Sequence, residues 1–246
     1  SIRAFGRGNR CNYQKFKRIM DKGTIYMIPT TLGGESTSDI IPEDVKAQTI
    51  GLRHFIVENI KSARRYLRKI DRTFPIDEST FFILNKKTEP SELNSFMSPL
   101  YDGHNIGVMS DAGCPGVADP GAAIVSLAHS TGIRVHPMVG PSSILLALMG
   151  SGFSGQKFTF HGYLPKERRD RISALKYYEG DTRKTGTTHL FMDTPFRNMN
   201  VLDDLLNNLT DPTMICIACD ISLPTEDIRT MSAKDWRDKA YDLAKR

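Results

Sequence analysis

The stretch Ser110-Asp111-Ala112-Gly113-Cys114-Pro115-Gly116-Val117-Ala118-Asp119-Pro120-Gly121 decides how this chain is read. It follows a strand-like apolar run over 105–109 and precedes a helical pattern over 120–130. Three glycines and two prolines in twelve residues force a long, shaped turn between them. A plain connection, with Asp119 capping the helix that starts at Pro120, needs far fewer special residues. The composition instead suits a ligand loop at a strand's carboxyl end, where open α/β sheets bind their ligands. Glycine lets backbone approach a ligand closely. Asp111 and Asp119 offer acceptors to ribose hydroxyls or to an amino group.

Outward from this loop, strand-like runs alternate with helical patterns. Strands are expected at 24–28, 81–84, 105–109, 133–136, 158–160, 188–191 and 214–218. Helices are expected at 42–54, 62–70, 91–100, 120–130, 142–149, 166–178, 197–209 and 232–244. Pro42 stands at a first-turn position, and Glu43 and Asp44 after it suit the positive end of a helix dipole. Such alternation predicts an α/β protein whose sheets are mainly parallel. The Gly-Pro break within 137–141 divides it into two α/β domains, 22–138 and 139–246.

Residues 1–21 are expected to be a disordered tail or an added segment, with Met20 as the natural start. Residues 1–19 hold six of the 33 basic residues and no acid. The rest of the chain then carries 27 basic against 28 acidic residues, so the basic isoelectric point belongs to the tail and gives no support for a nucleic-acid partner. The longest apolar run, 144–149, is too short to span a bilayer. Four scattered cysteines (Cys11, Cys114, Cys216, Cys219) make no disulfide framework. With no apolar leader in view, a cytoplasmic, membrane-free setting is the expectation.

Two further loops carry ligand-type chemistry. Pro29-Thr30-Thr31-Leu32-Gly33-Gly34 follows the first strand, and Gly140-Pro141-Ser142-Ser143 opens a helix whose amides point at whatever lies in front. Taken alone, the first reads equally as a glycine turn and the second as helix capping. Three patterns are set aside. Gly150-Ser151-Gly152-Phe153-Ser154-Gly155 matches the dinucleotide fingerprint, but a helix precedes it and a strand follows, the reverse of what that fingerprint needs. The Cys216 and Cys219 pair sits in a strand, where a spacing of three puts side chains on opposite faces. The six histidines show no metal spacing, so no metal site is expected. The clusters Arg64-Arg65-Arg68-Lys69 and Lys166-Arg168-Arg169-Arg171 read first as solvated helix faces. The second also offers a clamp for a phosphate backbone.

In order, these segments resemble the tetrapyrrole methylase superfamily, the class III S-adenosylmethionine-dependent methyltransferases. Within it they are most similar to the ribosomal RNA small-subunit 2′-O-ribose cytidine methyltransferases. Ser110–Gly121 is similar to that family's S-D-A-G-x-P-x-x-S-D-P-G segment. Gly140-Pro141-Ser142 resembles G-P-[SC], and Gly162-Tyr163-Leu164-Pro165 resembles G-F-L-P. Met192-Asp193-Thr194-Pro195-Phe196-Arg197 resembles Y-E-[ST]-P-[HFY]-R. The likeness runs over about residues 22–235. Three places depart from it: Pro29–Gly34 for A-T-P-I-G-N, Glu58-Asn59-Ile60-Lys61 for E-D-T-R, and Cys219-Asp220-Ile221-Ser222-Leu223 for R-E-L-T-K.

The resemblance implies two α/β domains with the cofactor in a cleft between them, a homodimer, and S-adenosyl-L-methionine as methyl donor. The substrate it implies is ribosomal RNA or the small ribosomal subunit. It places cofactor contacts at Leu32, Gly33, Ser110, Asp111, Ala112, Gly113, Val117, Ala118, Ser142, Ser143, Met192 and Asp193. Catalytic candidates are Asp111 and Glu58 as acceptors for the hydroxyl proton and Arg197 as a phosphate contact. Methylation of a tetrapyrrole or other small molecule, and cofactor binding without catalysis, are the alternative functions.

Overall fold

A computed structural model describes residues 22–34, 36–239 and 241–243. The expected tail over 1–21, Cys11 included, lies outside them. The chain divides into two compact units that meet at Pro141 and Ser142.

The first unit is built on five parallel strands: β1 (Thr24–Ile28), β2 (His54–Val57), β3 (Thr80–Ile83), β4 (Ile106–Met109) and β5 (Arg134–Pro137), in the order β3-β2-β4-β1-β5. The crossovers carry α1 (Glu43–Ile50), α2 (Ile60–Ile70), the short α3 (Leu93–Phe96) and α4 (Ser98–Tyr101), and α5 (Ala122–Ser130). Strand β4, Ile-Gly-Val-Met, is buried at all four positions because it pairs on both edges. Alternate residues feed two cores. Ile25, Met27, Ile106 and Val108 pack with Ile124 and Ala128 of α5 and with Phe96, Met97 and Leu100. Ile28, Phe55, Val57 and Met109 pack with Ala63, Tyr66 and Leu67 of α2. After β1 the chain crosses β4 to reach β2, whereas after β4 it crosses β1 to reach β5. The connections leave this neighbouring pair in opposite directions. A ligand crevice is therefore expected at their carboxyl ends.

Gly107 makes the centre of this sheet tight. A Cβ there would stand 2.5 Å from Ile28 Cδ1 and 3.0 Å from Phe55 Cδ1. Gly107→Val is expected to cost about 1–3 kcal/mol by overpacking, visible as a lower midpoint in urea unfolding with an unchanged slope.

The second unit pairs β6 (Phe158–Tyr163) with β7 (Thr188–Met192) in parallel, and β8 (Met214–Cys219) with β9 (Asp227–Ser232) antiparallel. Its helices are α6 (Ser143–Ser151), α7 (Arg168–Thr185), α8 (Asn198–Asn208) and α9 (Ala233–Arg237). Trp236 is fully buried in its core, and its Nε1–H donates to the Ile215 carbonyl at 2.9 Å. A polar stack lies beside that core. His161 Nε2 is 2.8 Å from His189 Nδ1, His189 Nε2 is 3.0 Å from Asp181 Oδ2, and the Tyr178 ring stacks on both imidazoles.

The fold corrects several element assignments. The helix expected over 42–54 ends at Ile50, and His54–Val57 is an inner strand that the sequence reading missed. Strand β9 was also missed. Pro99 splits the helix expected at 91–100 into two short turns, α7 extends to Thr185, and α9 stops at Arg237. The sheets are mainly rather than wholly parallel, since β8 and β9 run antiparallel. Among the described residues no helix is long and apolar enough to cross a membrane, and no cluster of side chains is suited to a metal.

Candidate functional site

The loops after β1 and β4 meet, as the crossing of their connections requires. The Thr30 amide donates to the Gly113 carbonyl at 2.9 Å, closing a bridge between the two loops. The Thr30 hydroxyl donates to the Ser110 carbonyl at 3.4 Å. The Gly140-Pro141 segment closes on both: Cys114 Sγ donates to the Pro141 carbonyl at 3.3 Å. A Cβ on Gly140 would fall 2.2 Å from Pro29, so only glycine permits this approach. Helix α2 holds the first loop from below, with Tyr66 Oη donating to the Pro29 carbonyl at 2.8 Å and Lys69 Nζ to the Gly34 carbonyl at 2.6 Å. Burial pushes the Tyr66 phenol well above its ordinary value, so it stays a hydrogen-bond donor.

The long loop itself is shaped by left-handed backbone. Gly113 and Gly116 have φ of +71° and +82°, and Ala118, which is not glycine, sits at +64°. A strained non-glycine residue in such a loop is typical of a ligand site. Gly121, not Asp119, occupies the N-cap of α5, and no side chain caps that helix. The capping explanation for Asp119 therefore fails.

What Asp119 does instead is join a group of carboxylates. Burial first, and then the Asp111 charge, hold the Asp119 carboxyl above its usual range, although a hydrogen bond from Ser110 works against this. Glu58, at the end of β2, is raised by burial, then by the charges of Asp119 and Asp111. The Asp111 amide donates to the Glu58 carboxylate and Lys86 stands near enough to offset part of the effect. Ser110 is buried, and its hydroxyl is shared between the Ala112 carbonyl, at 3.2 Å, and Asp119. Carboxylates that repel one another while losing water are poised to accept a proton or a hydroxyl hydrogen bond.

The middle of the same loop, Cys114 to Val117, borders an open cavity of about 850 Å³. Its walls are largely apolar, formed by Met27, Cys114 to Val117, Val125, Val135, Pro137 and Met138. That volume is within the range of cofactor and small-molecule pockets. Of the expected cofactor contacts, Leu32, Gly33, Ser110, Asp111, Ala112, Gly113, Val117 and Ala118 are brought together on these two loops. Gly113 packs against Leu32, whose Cδ2 would lie 3.2 Å from an added Cβ. Sequence reasoning did not name Met27, Pro137 and Met138 as lining; the end of β1 and the β5 edge were its only signal.

The remaining candidates belong to the second unit. Ser142 is the N-cap of α6 but makes no side-chain cap hydrogen bond there, and Ser143 begins the helix. Met192 ends β7, and Asp193 follows it with its Oδ1 accepting from the Thr194 amide at 2.8 Å. The Asp193 side chain is buried and pairs with Arg197 at 3.1 Å. Arg197 Nη2 also donates to the Leu164 and Pro165 carbonyls, at 3.1 and 3.0 Å, so this guanidinium fastens the Gly162–Pro165 turn within its own unit. Within the cluster expected over 166–171, two of the four basic residues turn to Asp204, while Lys166 and Arg169 stay exposed. Arg171 is buried, binds Asp204 at 2.6 Å, and donates to the Pro165 and Lys166 carbonyls; Arg168 meets the other oxygen of Asp204 at 2.8 Å.

No family model matches the chain. Curated proteins named ribosomal RNA small subunit methyltransferase I are similar to it. The one from Halalkalibacterium halodurans is 31% identical, over 78% of this chain and 63% of its own length. That from Pseudomonas aeruginosa is 28% identical over 89% and 73%, and that from Vibrio cholerae 29% over 84% and 68%. The chain thus spans under two thirds of the first relative and about seven tenths of the others. Two solved structures share the fold. The methyltransferase CobJ aligns over 91% of this chain and 90% of its own, with a TM-score of 0.57 and 16% identity. The cobalt precorrin-4 methyltransferase CbiF aligns over 95% and 91%, with a TM-score of 0.56 and 13% identity.

Proposed function

We propose, from the premise that the chain belongs to the tetrapyrrole methylase superfamily as a homologue of the ribosomal RNA small subunit methyltransferase I proteins, that it transfers a methyl group from S-adenosylmethionine to a ribose 2′-hydroxyl of small-subunit ribosomal RNA. The observation that carries this reading is the joining of a glycine-shaped loop to a carboxylate group at the carboxyl ends of β2 and β4.

The residues present fit the methyl donor. The glycine-lined turn at Gly113 and Gly116 lets backbone come close, and the neighbouring cavity is open and apolar enough for an adenosine-sized group. S-adenosylmethionine supplies an already activated methyl group, so the protein's work is positioning and proton handling. Val117 lines that cavity, and Leu32, Gly33, Ala112, Gly113 and Ala118 on the adjoining loops are the other contacts assigned to the donor. Ser110 and the Asp111 amide orient the carboxylates of Asp119 and Glu58. A ribose hydroxyl is a poor nucleophile, and one of these carboxylates would accept its proton. Asp111 contributes charge that keeps its neighbours basic.

The same reading makes the protein a cytoplasmic homodimer, which light scattering in solution tests by the doubled mass. For the cofactor, titration calorimetry is expected to give one S-adenosylmethionine per chain without added metal. An absence of heat with both S-adenosylmethionine and its demethylated product would remove the methyltransferase reading. Binding without label transfer to any acceptor would leave a cofactor-binding protein.

A further inference from the structure

We propose that the outward face of α2 is the surface along which the RNA backbone runs away from the reaction site, a partner surface that rests on the RNA reading above. Helix α2, Ile60–Ile70, places Ala63, Tyr66 and Leu67 in the core. Its opposite face carries Lys61, Arg64, Arg65 and Arg68, all exposed. At 100° per residue these four side chains fall within one stripe, centred opposite the buried one. From Lys61 to Arg68 the stripe runs about 10 Å along the axis, the length of about three phosphates at the ~3.4 Å rise of a stacked strand.

The helix breaks local rules to keep this face basic. It contains five basic residues and no acid. Lys61 stands in the first turn, against the positive end of the dipole. Lys61 with Arg65, and Arg64 with Arg68, are like charges four residues apart, a disfavoured spacing. Among the described residues none of the four forms a salt bridge with a carboxylate; Arg64 lies over the Phe81 ring, and Arg68 donates to the Arg72 carbonyl. Of the four, Arg68 alone has a carboxylate near enough to attract it, Asp71 at the end of the helix, and a row of like charges with so little compensation marks functional surface.

Position completes the case. The stripe starts three residues after Glu58, and Tyr66 on the reverse side grips the loop after β1. Lys86, beyond β3, is also close enough to act on Glu58. A ribose held at the carboxylates has phosphates that those carboxylates repel. An adjoining row of fixed cations is where such phosphates can go. In the alternative row, Lys166 to Arg171, two of the four cations, Arg168 and Arg171, are drawn onto Asp204, and Arg171 also holds the Pro165 turn.

The test compares the full chain with Lys61→Gln/Arg65→Gln/Arg68→Gln, using protein-free small-subunit ribosomal RNA across a salt series. Losing three phosphate contacts is expected to reduce the log–log salt slope by about 2 and affinity at 0.15 M salt by about fifty-fold. S-adenosylmethionine affinity and the melting temperature should not fall. Arg65→Gln alone should reduce the slope by about 0.7, and Arg65→Lys/Arg68→Lys should keep it. If the triple variant retains both affinity and slope, or the unmodified chain binds S-adenosylmethionine but not this RNA, the face is wrong while the donor site stands. If the unmodified chain binds RNA through this face but not S-adenosylmethionine, the face stands and the methyltransferase reading fails.

Discussion

Asp119→Asn is expected to slow methyl transfer severely while making the ligand-free protein more stable. The two effects share one cause. Asp119 loses water and faces the Asp111 charge, and Glu58 is raised in turn by both. A carboxyl whose folded value lies above its unfolded one binds more protons when folded, so stability falls as pH rises through that window. At neutral pH the group therefore stands against folding. Asparagine keeps the shape, still accepts from Ser110, and removes one charge. The melting temperature should rise at pH 7 to 8, and the rise should shrink as pH falls toward the ordinary carboxylate range near 4. The rate should drop by about 10²–10⁴-fold, the usual worth of a positioned general base, with S-adenosylmethionine affinity little changed. Single-turnover transfer and thermal scans across pH check both halves. A variant that keeps its rate removes Asp119 from the chemistry, leaving Glu58→Gln as the next substitution to measure.

Asp204→Ala should have the largest effect on folding of any single change in the second unit. Asp204 is 1% exposed and Arg171 6%. Burial alone would push the Asp204 carboxyl up, but hydrogen bonds from Arg168 and Arg171 outweigh it and hold the group below its usual range. Its stabilising effect is present above the unfolded value and is lost only as pH falls through the depressed folded value, so it is complete at neutral pH. Removing the carboxylate leaves the Arg171 guanidinium buried without its counter-ion, an arrangement that costs about 3–5 kcal/mol. Arg168 suffers less, because its side chain is 69% exposed and can turn to water. Arg168→Ala should therefore cost less than about 1 kcal/mol, as exposed pairs do. Urea unfolding monitored at the single tryptophan, Trp236, reads this unit directly. Equal losses for the two variants would show that the pair is not held as described.

How much of this was legible beforehand follows from which interactions are local. The strand-to-helix loop over 110–121 could be read because glycine and proline act on their own backbone. Its standing as a candidate site rests on its place after a strand. Strand β2 was lost because a parallel strand of four residues, His-Phe-Ile-Val, buried at its last three positions, shows no alternation and follows a helix closely. Strand β9 was lost because Asp-Ile-Arg-Thr-Met-Ser alternates too weakly to stand out from a loop. The basic runs on α2 and α7 look alike in sequence. What separates them is Asp204, 33 residues beyond Arg171, and no spacing rule reports such a partner. Asp119 was seen as either a cap or an acceptor, and the N-cap at Gly121 decides between them.

The central claim is tested most directly by locating the transferred methyl. The full chain is incubated with methyl-tritiated S-adenosylmethionine and small ribosomal subunits lacking ribose methylation, with a precorrin-type acceptor in parallel. The RNA is then hydrolysed in alkali. A 2′-O-methyl group blocks cleavage of the adjoining phosphodiester, so the account predicts label confined to alkali-resistant dinucleotides and none in the small acceptor. Label in mononucleotides, or in the precorrin-type acceptor with none in RNA, would contradict it.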